Sequence, residues 1–426
     1  MIKKINKIKS VRGELALTGD KSISHRTVIF SAMATGKSVI TNISQGEDVK
    51  STMKIMQQLG VNVSSVSKDI IVEGVGIKGF KQSPNDLDCG NSGTSARLIA
   101  GLLSAQTFPS TLIGDESLSQ RPMKRVIDPL QKMGVEFSTN EKQTLPLVIQ
   151  PPKELLNISY KMPIASAQVK SAILIAGLHC DIETKVVESE RTRNHTEKML
   201  GLPVSKKGLK VISSSSSKFY PVAQDYFVPG DISTSAFHVV LTLLTHNSEL
   251  IIKNVSLNPT RTGYITVLQK MSANISFENI KVSSNEEYGD VIVKSSQLKN
   301  IHIDSEIIPN IIDEIPILTI AGIFAGGDFK IQNAKELRVK ESDRISAICY
   351  NLKLLGLDVS ENEDGFSVSG GIINTKVVFE SFSDHRIAMA FSILCMLLEN
   401  GGEVNGFECV AISNPKFEEQ INQISC

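Results

Sequence analysis

Met56-Gln57-Gln58-Leu59-Gly60-Val61-Asn62-Val63 is the stretch that decides the fold, because the chain says it again and again. A helical pattern closes on Leu-Gly and a β-branched stretch follows at once. The form returns as Leu130-Gln131-Lys132-Met133-Gly134-Val135-Glu136-Phe137, as Met199-Leu200-Gly201-Leu202-Pro203-Val204, and as Leu352-Lys353-Leu354-Leu355-Gly356-Leu357-Asp358-Val359. Leu268-Gln269-Lys270-Met271-Ser272-Ala273-Asn274-Ile275 repeats it with serine in place of glycine. Glycine just past the last helical turn closes a helix in the left-handed conformation that other residues resist. The phrase recurs about every 70 residues, too long for a solenoid repeat. It fits a βαβ-rich unit used six times along 426 residues. We therefore expect an α/β protein of six similar units, three in each of two domains, since a chain this long exceeds one ordinary core. Ser38-Val39-Ile40 and Asp290-Val291-Ile292-Val293 read as strands, and the serine run Ser213–Ser217 as a solvated hairpin tip.

Composition narrows the function. Lys plus Arg equals Asp plus Glu, 45 of each. A net charge of zero argues against a nucleic-acid or membrane surface, so any basic cluster must be local and suited to a small anion. No tryptophan and only six tyrosines speak against a base-stacking platform. Cys89, Cys180, Cys349, Cys395, Cys409 and Cys426 form no CxxC pair and lack histidine at metal spacing. They read as free thiols of a reducing compartment, with no metal and no cofactor expected. The start, Met1-Ile2-Lys3-Lys4-Ile5, does not read as a signal peptide. The longest apolar run, Ile387–Leu398, is too short to span a bilayer. A cytoplasmic location is expected.

The chemistry sits where helices begin. Gly19-Asp20-Lys21-Ser22-Ile23-Ser24-His25-Arg26 follows the alternating Glu14-Leu15-Ala16-Leu17 and opens a helix. Free backbone amides and the helix dipole favour an anion there; Arg26 adds a bidentate grip and Lys21 a point charge. An N-cap serine beside solvated cations would give the same letters. Asp88-Cys89-Gly90-Asn91-Ser92-Gly93-Thr94-Ser95-Ala96-Arg97 lets a ligand approach the backbone closely, yet has neither Walker A spacing nor the GxGxxG register. It also reads as a plain capping turn, and Cys89 as a buried spectator thiol. Gly114–Met123 is a polar loop ending in Arg121-Pro122, with Arg121 a second clamp for carboxylate or phosphate. Ser166-Ala167-Gln168-Val169-Lys170 and Thr192-Arg193-Asn194-His195-Thr196 place donors beside helix starts. His195 reads equally as a structural histidine. Gly230–Ser235 repeats the small-polar start and marks a domain crossover.

Three further segments belong together. Asp313-Glu314-Ile315-Pro316 precedes an apolar helix, Lys340-Glu341-Ser342-Asp343-Arg344 packs five polar side chains in a row, and Ser383-Asp384-His385-Arg386 opens the helix that follows. A carboxylate before an apolar helix is often only a cap. The recurrence is the informative part: if these helix starts converge, they build an electropositive pocket in an otherwise neutral protein.

With these motifs in this order, from GDKSISHR to SDHRIAMAF, the chain resembles the 3-phosphoshikimate 1-carboxyvinyltransferases, or EPSP synthases. The resemblance implies a two-domain inside-out α/β barrel of the EPT/RTPC-like type, each domain holding three βαβαββ units about a pseudo-threefold axis. It implies domains at 1–19 with 231–426 and at 20–230, closing over the substrates, with two crossings near Asp20 and Asp231. It implies a monomer that moves the enolpyruvyl group of phosphoenolpyruvate to the 5-hydroxyl of shikimate 3-phosphate by addition and elimination, releasing phosphate, on the shikimate pathway towards chorismate. Carried over by position, Lys21, Ser22, Arg26, Ser166, Gln168, Thr192, Arg193, Asp313 and Lys340 would hold shikimate 3-phosphate. Lys21, Gly93, Arg121, Gln168, Arg344 and Arg386 would surround phosphoenolpyruvate. Asp313 would take the hydroxyl proton and Glu341 would protonate the methylene, with Lys21 assisting. Gly93 keeps the small residue associated with room for glyphosate, so inhibition competitive with phosphoenolpyruvate is expected.

This chain departs from the pattern in two places. Thr192-Arg193-Asn194-His195 stands where many members have Ser-Arg-Asp-His, and Lys416 is displaced from the usual C-terminal lysine position, so no role is carried over to it. The sister enzyme acting on UDP-N-acetylglucosamine is the nearest alternative, but its reactive loop cysteine has no counterpart in Gly114–Met123. A non-catalytic binder of phosphorylated metabolites is a second alternative, since fold alone does not fix function. A nucleic-acid module fits the zero charge and few aromatics worst.

Overall fold

The computed structural model describes residues 1–374 and 376–426. The chain divides into two compact units. The first comprises Met1–Leu17, Pro229–Lys281 and Glu287–Cys426; the second comprises Thr18–Val228 and Val282–Glu286. Each has its own continuous apolar core. The excursion Val282–Glu286 is one the sequence does not announce: the chain leaves the first unit for five residues and then returns to it.

Thirteen α-helices are formed among the described residues: α1 (Lys21–Met33), α2 (Glu47–Gln58), α3 (Gly93–Leu103), α4 (Lys124–Lys132), α5 (Ala167–Gly177), α6 (His195–Leu200), α7 (Ile232–Leu244), α8 (Gly263–Lys270), α9 (Ile308–Ile311), α10 (Ile315–Phe324), α11 (Arg344–Leu354), α12 (His385–Leu397) and α13 (Phe417–Ile424). Six sheets accompany them. The four-stranded sheets share one plan. Leu87–Asp88 lies parallel to Ser110–Ile113, which pairs antiparallel with Leu147–Gln150, which pairs antiparallel with Glu136–Ser138.

Helices occupy the middle of each unit, and this is what makes the fold inside-out. α7, α10 and α12 pack on one another in the first unit, and α3 packs on both α1 and α5 in the second. A helix apolar on every side belongs in a core. Eight of the ten residues of α10 are buried, and so are eleven of the thirteen in α12. The outer helices α2, α4, α8 and α13 show one apolar face and one polar face, as partners of a sheet edge should.

The repeated phrase does what its letters require. Gly60, Gly134, Gly201 and Gly356 close α2, α4, α6 and α11 with φ of +89°, +93°, +61° and +79°. Ser272 closes α8 at φ +76°, so the fifth copy keeps the geometry without the glycine. The chain ends are woven by strand exchange. Arg12–Ala16 pairs in parallel with Glu249–Ser256 and so stays with the first unit, although the chain runs on directly into α1 of the second. Tyr226–Phe227 supplies the parallel edge beside Thr35–Thr41 in its stead.

One expectation fails. Ser213–Ser217 is no solvated hairpin tip. Lys210–Ser215 is an inner strand of its sheet, and Ser213, Ser215 and Ser216 are buried. Burial is tolerated because Ser213 Oγ donates to the Glu197 carboxylate at 3.0 Å. The turn lies instead at Gly208, in the left-handed region at φ +62°.

Candidate active site

In the second unit the starts of the three central helices meet. Asp20, Ser92 and Ser166 cap α1, α3 and α5, each accepting a backbone N–H of the first turn. Arg26, on the first turns of α1, is almost wholly buried. Its Nη2 donates to Ser171 Oγ on α5 at 2.7 Å, its Nε to Thr196 Oγ1 on α6 at 2.8 Å, and its Nη1 to the Ser22 carbonyl at 2.8 Å. All three acceptors are neutral, so these bonds orient the guanidinium without cancelling its charge. Burial brings its pKa down to about 10, against the pull of Glu197 and other nearby carboxylates. The cation therefore remains charged at neutral pH in a dry place, where an anion is attracted most strongly.

Lys21 begins α1 and pairs with Asp48 Oδ2 at 2.7 Å. Gln168 accepts from Arg97 Nη1 at 2.9 Å and donates to Thr94 Oγ1 at 3.0 Å, which ties α5 to α3. Gly93 lies against this pair: a Cβ there would stand 2.5 Å from Arg97 Nη1 and 3.7 Å from Arg121 Nη1. Arg121 donates to Asn91 Oδ1 at 2.7 Å and Ser117 Oγ at 3.1 Å. Thr192 Oγ1 donates to Glu188 Oε1. Arg193, half-buried, adds its charge near Arg26. Lys21, Gly93, Arg121, Gln168 and Arg26 thus lie on helix starts and loops that are bonded or packed to one another.

The first unit gathers the other group, and here cations and carboxylates alternate. Arg344 is fully buried. Its Nε donates to Asp384 Oδ2 at 2.8 Å, its Nη1 to Asp313 Oδ1 at 3.2 Å, and its Nη2 to Glu341 Oε2 at 2.5 Å. Burial by itself would lower the Arg344 pKa, but Asp384, Glu341 and Asp313 more than reverse that and raise it. Asp384 is fully buried too; burial would raise its pKa, yet Arg344 holds it below the usual carboxylate range. Asp313 also faces Lys340 Nζ at 3.5 Å and Arg386 Nη2 at 3.8 Å, while Arg386 Nη1 donates to the Asp313 carbonyl at 2.9 Å. One guanidinium thus joins Asp313 and Glu341, the two carboxylates for which the resemblance implies the roles of base and acid.

Several contributors were not legible as site residues. Asp48 anchors Lys21, Arg97 anchors Gln168, and Asp384 anchors Arg344 while capping α12. Lys170 is buried and grips Glu188 and Glu197, each at 2.8 Å. Glu188 is thereby fixed for Thr192, and Glu197 holds α6. His195 Nδ1 lies 2.8 Å from Glu286 Oε1, both side chains out of solvent. Cys89 is buried, and burial pushes its thiol pKa far up, so it serves as core rather than as nucleophile. Among the described residues no group of three or more His, Cys, Asp or Glu side chains could hold a metal ion. No single helix among them is long and apolar enough to cross a membrane.

Comparison with known proteins gives this geometry a context. Residues 5–421 match the family model described as EPSP synthase (3-phosphoshikimate 1-carboxyvinyltransferase). The chain is 47% identical to the 3-phosphoshikimate 1-carboxyvinyltransferase of Petrotoga mobilis, over 97% of each chain. It is 42% identical to that of Syntrophomonas wolfei over the whole of both chains. A solved structure of EPSP synthase from Acinetobacter baumannii superposes with a TM-score of 0.87 at 39% identity, covering 100% of this chain and 98% of that one. The enolpyruvyl transferase NikO of Streptomyces tendae shares the fold at 13% identity, with a TM-score of 0.78 over 99% of this chain and 97% of that one.

Proposed function

This chain belongs to the EPSP synthase (3-phosphoshikimate 1-carboxyvinyltransferase) family, and from that premise we propose how its residues divide the work of the transfer. It is a transferase of the shikimate pathway: it moves the enolpyruvyl group of phosphoenolpyruvate to the 5-hydroxyl of shikimate 3-phosphate and releases phosphate. The second unit serves mainly to hold anions. Lys21, Ser22, Arg26, Ser166, Gln168, Thr192 and Arg193 hold the acceptor, with Arg26 charged and bonded only to neutral oxygens. Lys21, Gly93, Arg121 and Gln168 take part in binding phosphoenolpyruvate.

The first unit supplies the proton transfers. Addition requires C3 of phosphoenolpyruvate to gain a proton while the hydroxyl oxygen attacks C2, so an acid and a base must act on one reacting pair. Asp313, ion-paired with Lys340, Arg344 and Arg386, takes the hydroxyl proton. Glu341 gives the proton to C3. Its carboxylate is bonded to Arg344 Nη2, the guanidinium that an arriving phosphate or carboxylate also meets. Arg344 and Arg386 then offset the charge of the leaving phosphate by fixed electrostatics. In elimination C3 returns a proton to Glu341, the C2–O bond to phosphate breaks, and Asp313 passes the former hydroxyl proton to the departing phosphate.

The observation that carries this reading is the bonding of Asp313 and Glu341 to one buried guanidinium, in a chain that matches the family from end to end. A cytoplasmic location fits cysteines that stand unpaired, and the family resemblance supports a monomer. The test is phosphate release from phosphoenolpyruvate with shikimate 3-phosphate or UDP-N-acetylglucosamine as acceptor. Release with the first acceptor alone is expected. Release only with the second, or with neither, would overturn the assignment.

A further inference from the structure

The five residues Val282–Glu286 form the tip of a long hairpin whose strands are Asn274–Ser283 and Glu286–Lys294. The body of the hairpin belongs to the first unit and the tip to the second. The turn is tight: Ser284 and Asn285 both adopt positive φ, +48° and +60°, the pattern of a two-residue turn matched to strand twist. It delivers Glu286 to a place where its carboxylate is 1% exposed. There Glu286 Oε1 meets His195 Nδ1 at 2.8 Å, and Asn285 Nδ2 donates to the Lys198 carbonyl at 3.1 Å.

Both contacts fall on α6. Six residues are too few for a helix to persist unaided, so outside bonds decide where this one lies. Its first turn is held at three successive residues: His195 by Glu286, Thr196 by Ser171 and Arg26, and Glu197 by Lys170 and Ser213. Thr192 and Arg193 run directly into that turn, and Thr196 is the hydroxyl that orients Arg26. None of the proton transfers uses Glu286 or His195. Burying a carboxylate is costly, and the partner it meets sits at the head of the segment that holds the acceptor.

We propose that Glu286 is a positioning residue for the acceptor: through His195 it fixes the first turn of α6, and with it Thr192, Arg193 and the Thr196 hydroxyl on Arg26. This rests on the assignment of Thr192, Arg193 and Arg26 to shikimate 3-phosphate.

The two substrates give the test. Glu286→Ala should raise KM for shikimate 3-phosphate by about tenfold, the scale of one lost buried hydrogen bond. KM for phosphoenolpyruvate and kcat should stay within about threefold. Glu286→Gln, which keeps an acceptor oxygen for His195, should recover most of the loss, and Asn285→Ala should do little. The double variant Glu286→Ala/His195→Ala should be no worse than the poorer single variant, since the two side chains act as one unit. Should Glu286→Ala not fold, Glu286→Asp, which withdraws the carboxylate by one methylene, reads the same KM. An unchanged KM for shikimate 3-phosphate would overturn the proposal. So would equal losses for both substrates and kcat alongside a lowered Tm, which mark a merely structural role. Failure of the wild-type enzyme to use shikimate 3-phosphate would instead sink the assigned function, so the two failures are distinguishable.

Discussion

Arg344 Nε donates to Asp384 Oδ2 at 2.8 Å, and both side chains are sealed from solvent. Removing Asp384 takes away the fully buried partner of Arg344 and leaves its Nε without an acceptor in a low dielectric, with only Asp313 and Glu341 still balancing the charge. Asp384→Ala should therefore destabilise the protein by roughly 3–5 kcal/mol. It also removes the cap of α12, where Asp384 accepts from the Arg386 backbone N–H at 2.8 Å. Denaturant unfolding checks the stability. Asp384→Asn, which keeps an acceptor, should lose clearly less; equal stability of Asp384→Ala and wild type would refute the argument.

Asp313→Asn keeps the shape and loses the base. With the proton acceptor gone, kcat should fall by roughly 10²–10⁴-fold while both substrates still bind. Steady-state phosphate release gives the first quantity and calorimetric binding the second. Turnover at the wild-type rate would remove Asp313 from the mechanism.

Gly93 has no room to spare. A methyl group there would stand 2.5 Å from Arg97 Nη1, so Arg97 must move and loosen its bond to Gln168 Oε1. Gly93→Ala should raise KM for phosphoenolpyruvate by roughly tenfold, the cost of about one disturbed hydrogen bond. Glyphosate inhibition, expected to compete with phosphoenolpyruvate, should weaken as well. Inhibition kinetics on both proteins decide the point, and an unchanged inhibition constant would count against this account of the glycine.

Two buried histidines, His25 and His238, and the half-buried His179 set an acid limit. Burial lowers the pKa of His25 to about 3 and those of His179 and His238 to about 4, against an unfolded value of 6.5. The unfolded chain takes up protons on these rings below pH 6.5 and the folded protein does not. Their stabilising contribution is thus complete above pH 6.5 and is lost as pH falls towards 4. Each histidine adds a slope of up to about 1.4 kcal/mol per pH unit across that window. Tm measured from pH 7 down to pH 4.5 should fall steadily, and His238→Gln should show a shallower fall. A flat profile would contradict the expectation.

The sequence made the fold readable because its signal is local. A helix that must stop needs a left-handed residue, and Gly60, Gly134, Gly201 and Gly356 declare where four of them do. Ser272 shows why the pattern mattered more than the letter: its surroundings impose the same φ on serine. The motifs carrying Lys21, Gly93, Gln168, Arg344 and Arg386 were readable for the same reason, since each sits at a helix start. The anchors behind them were not. Asp48 and Glu188 stand outside every motif quoted above, and Lys170 and Asp384 stand in motifs that name no partner for them, until the topology pairs these residues over 18 to 40 positions. The serine run misled because turn composition is a statistical signal. Lys210–Ser215 instead pairs on both sides, and long-range pairing outranks composition.

The hairpin tip also bears on how this protein could be taken apart. A polypeptide cut from Thr18 to Val228 looks like a whole half of the molecule, yet it would lack Glu286, encoded some sixty codons downstream. His195 Nδ1 would then lack the carboxylate it meets at 2.8 Å in the whole chain. A split, a circular permutation or a fusion drawn at the two obvious linkers would separate this pair, so any dissection has to bring residues 282–286 along with the half that needs them.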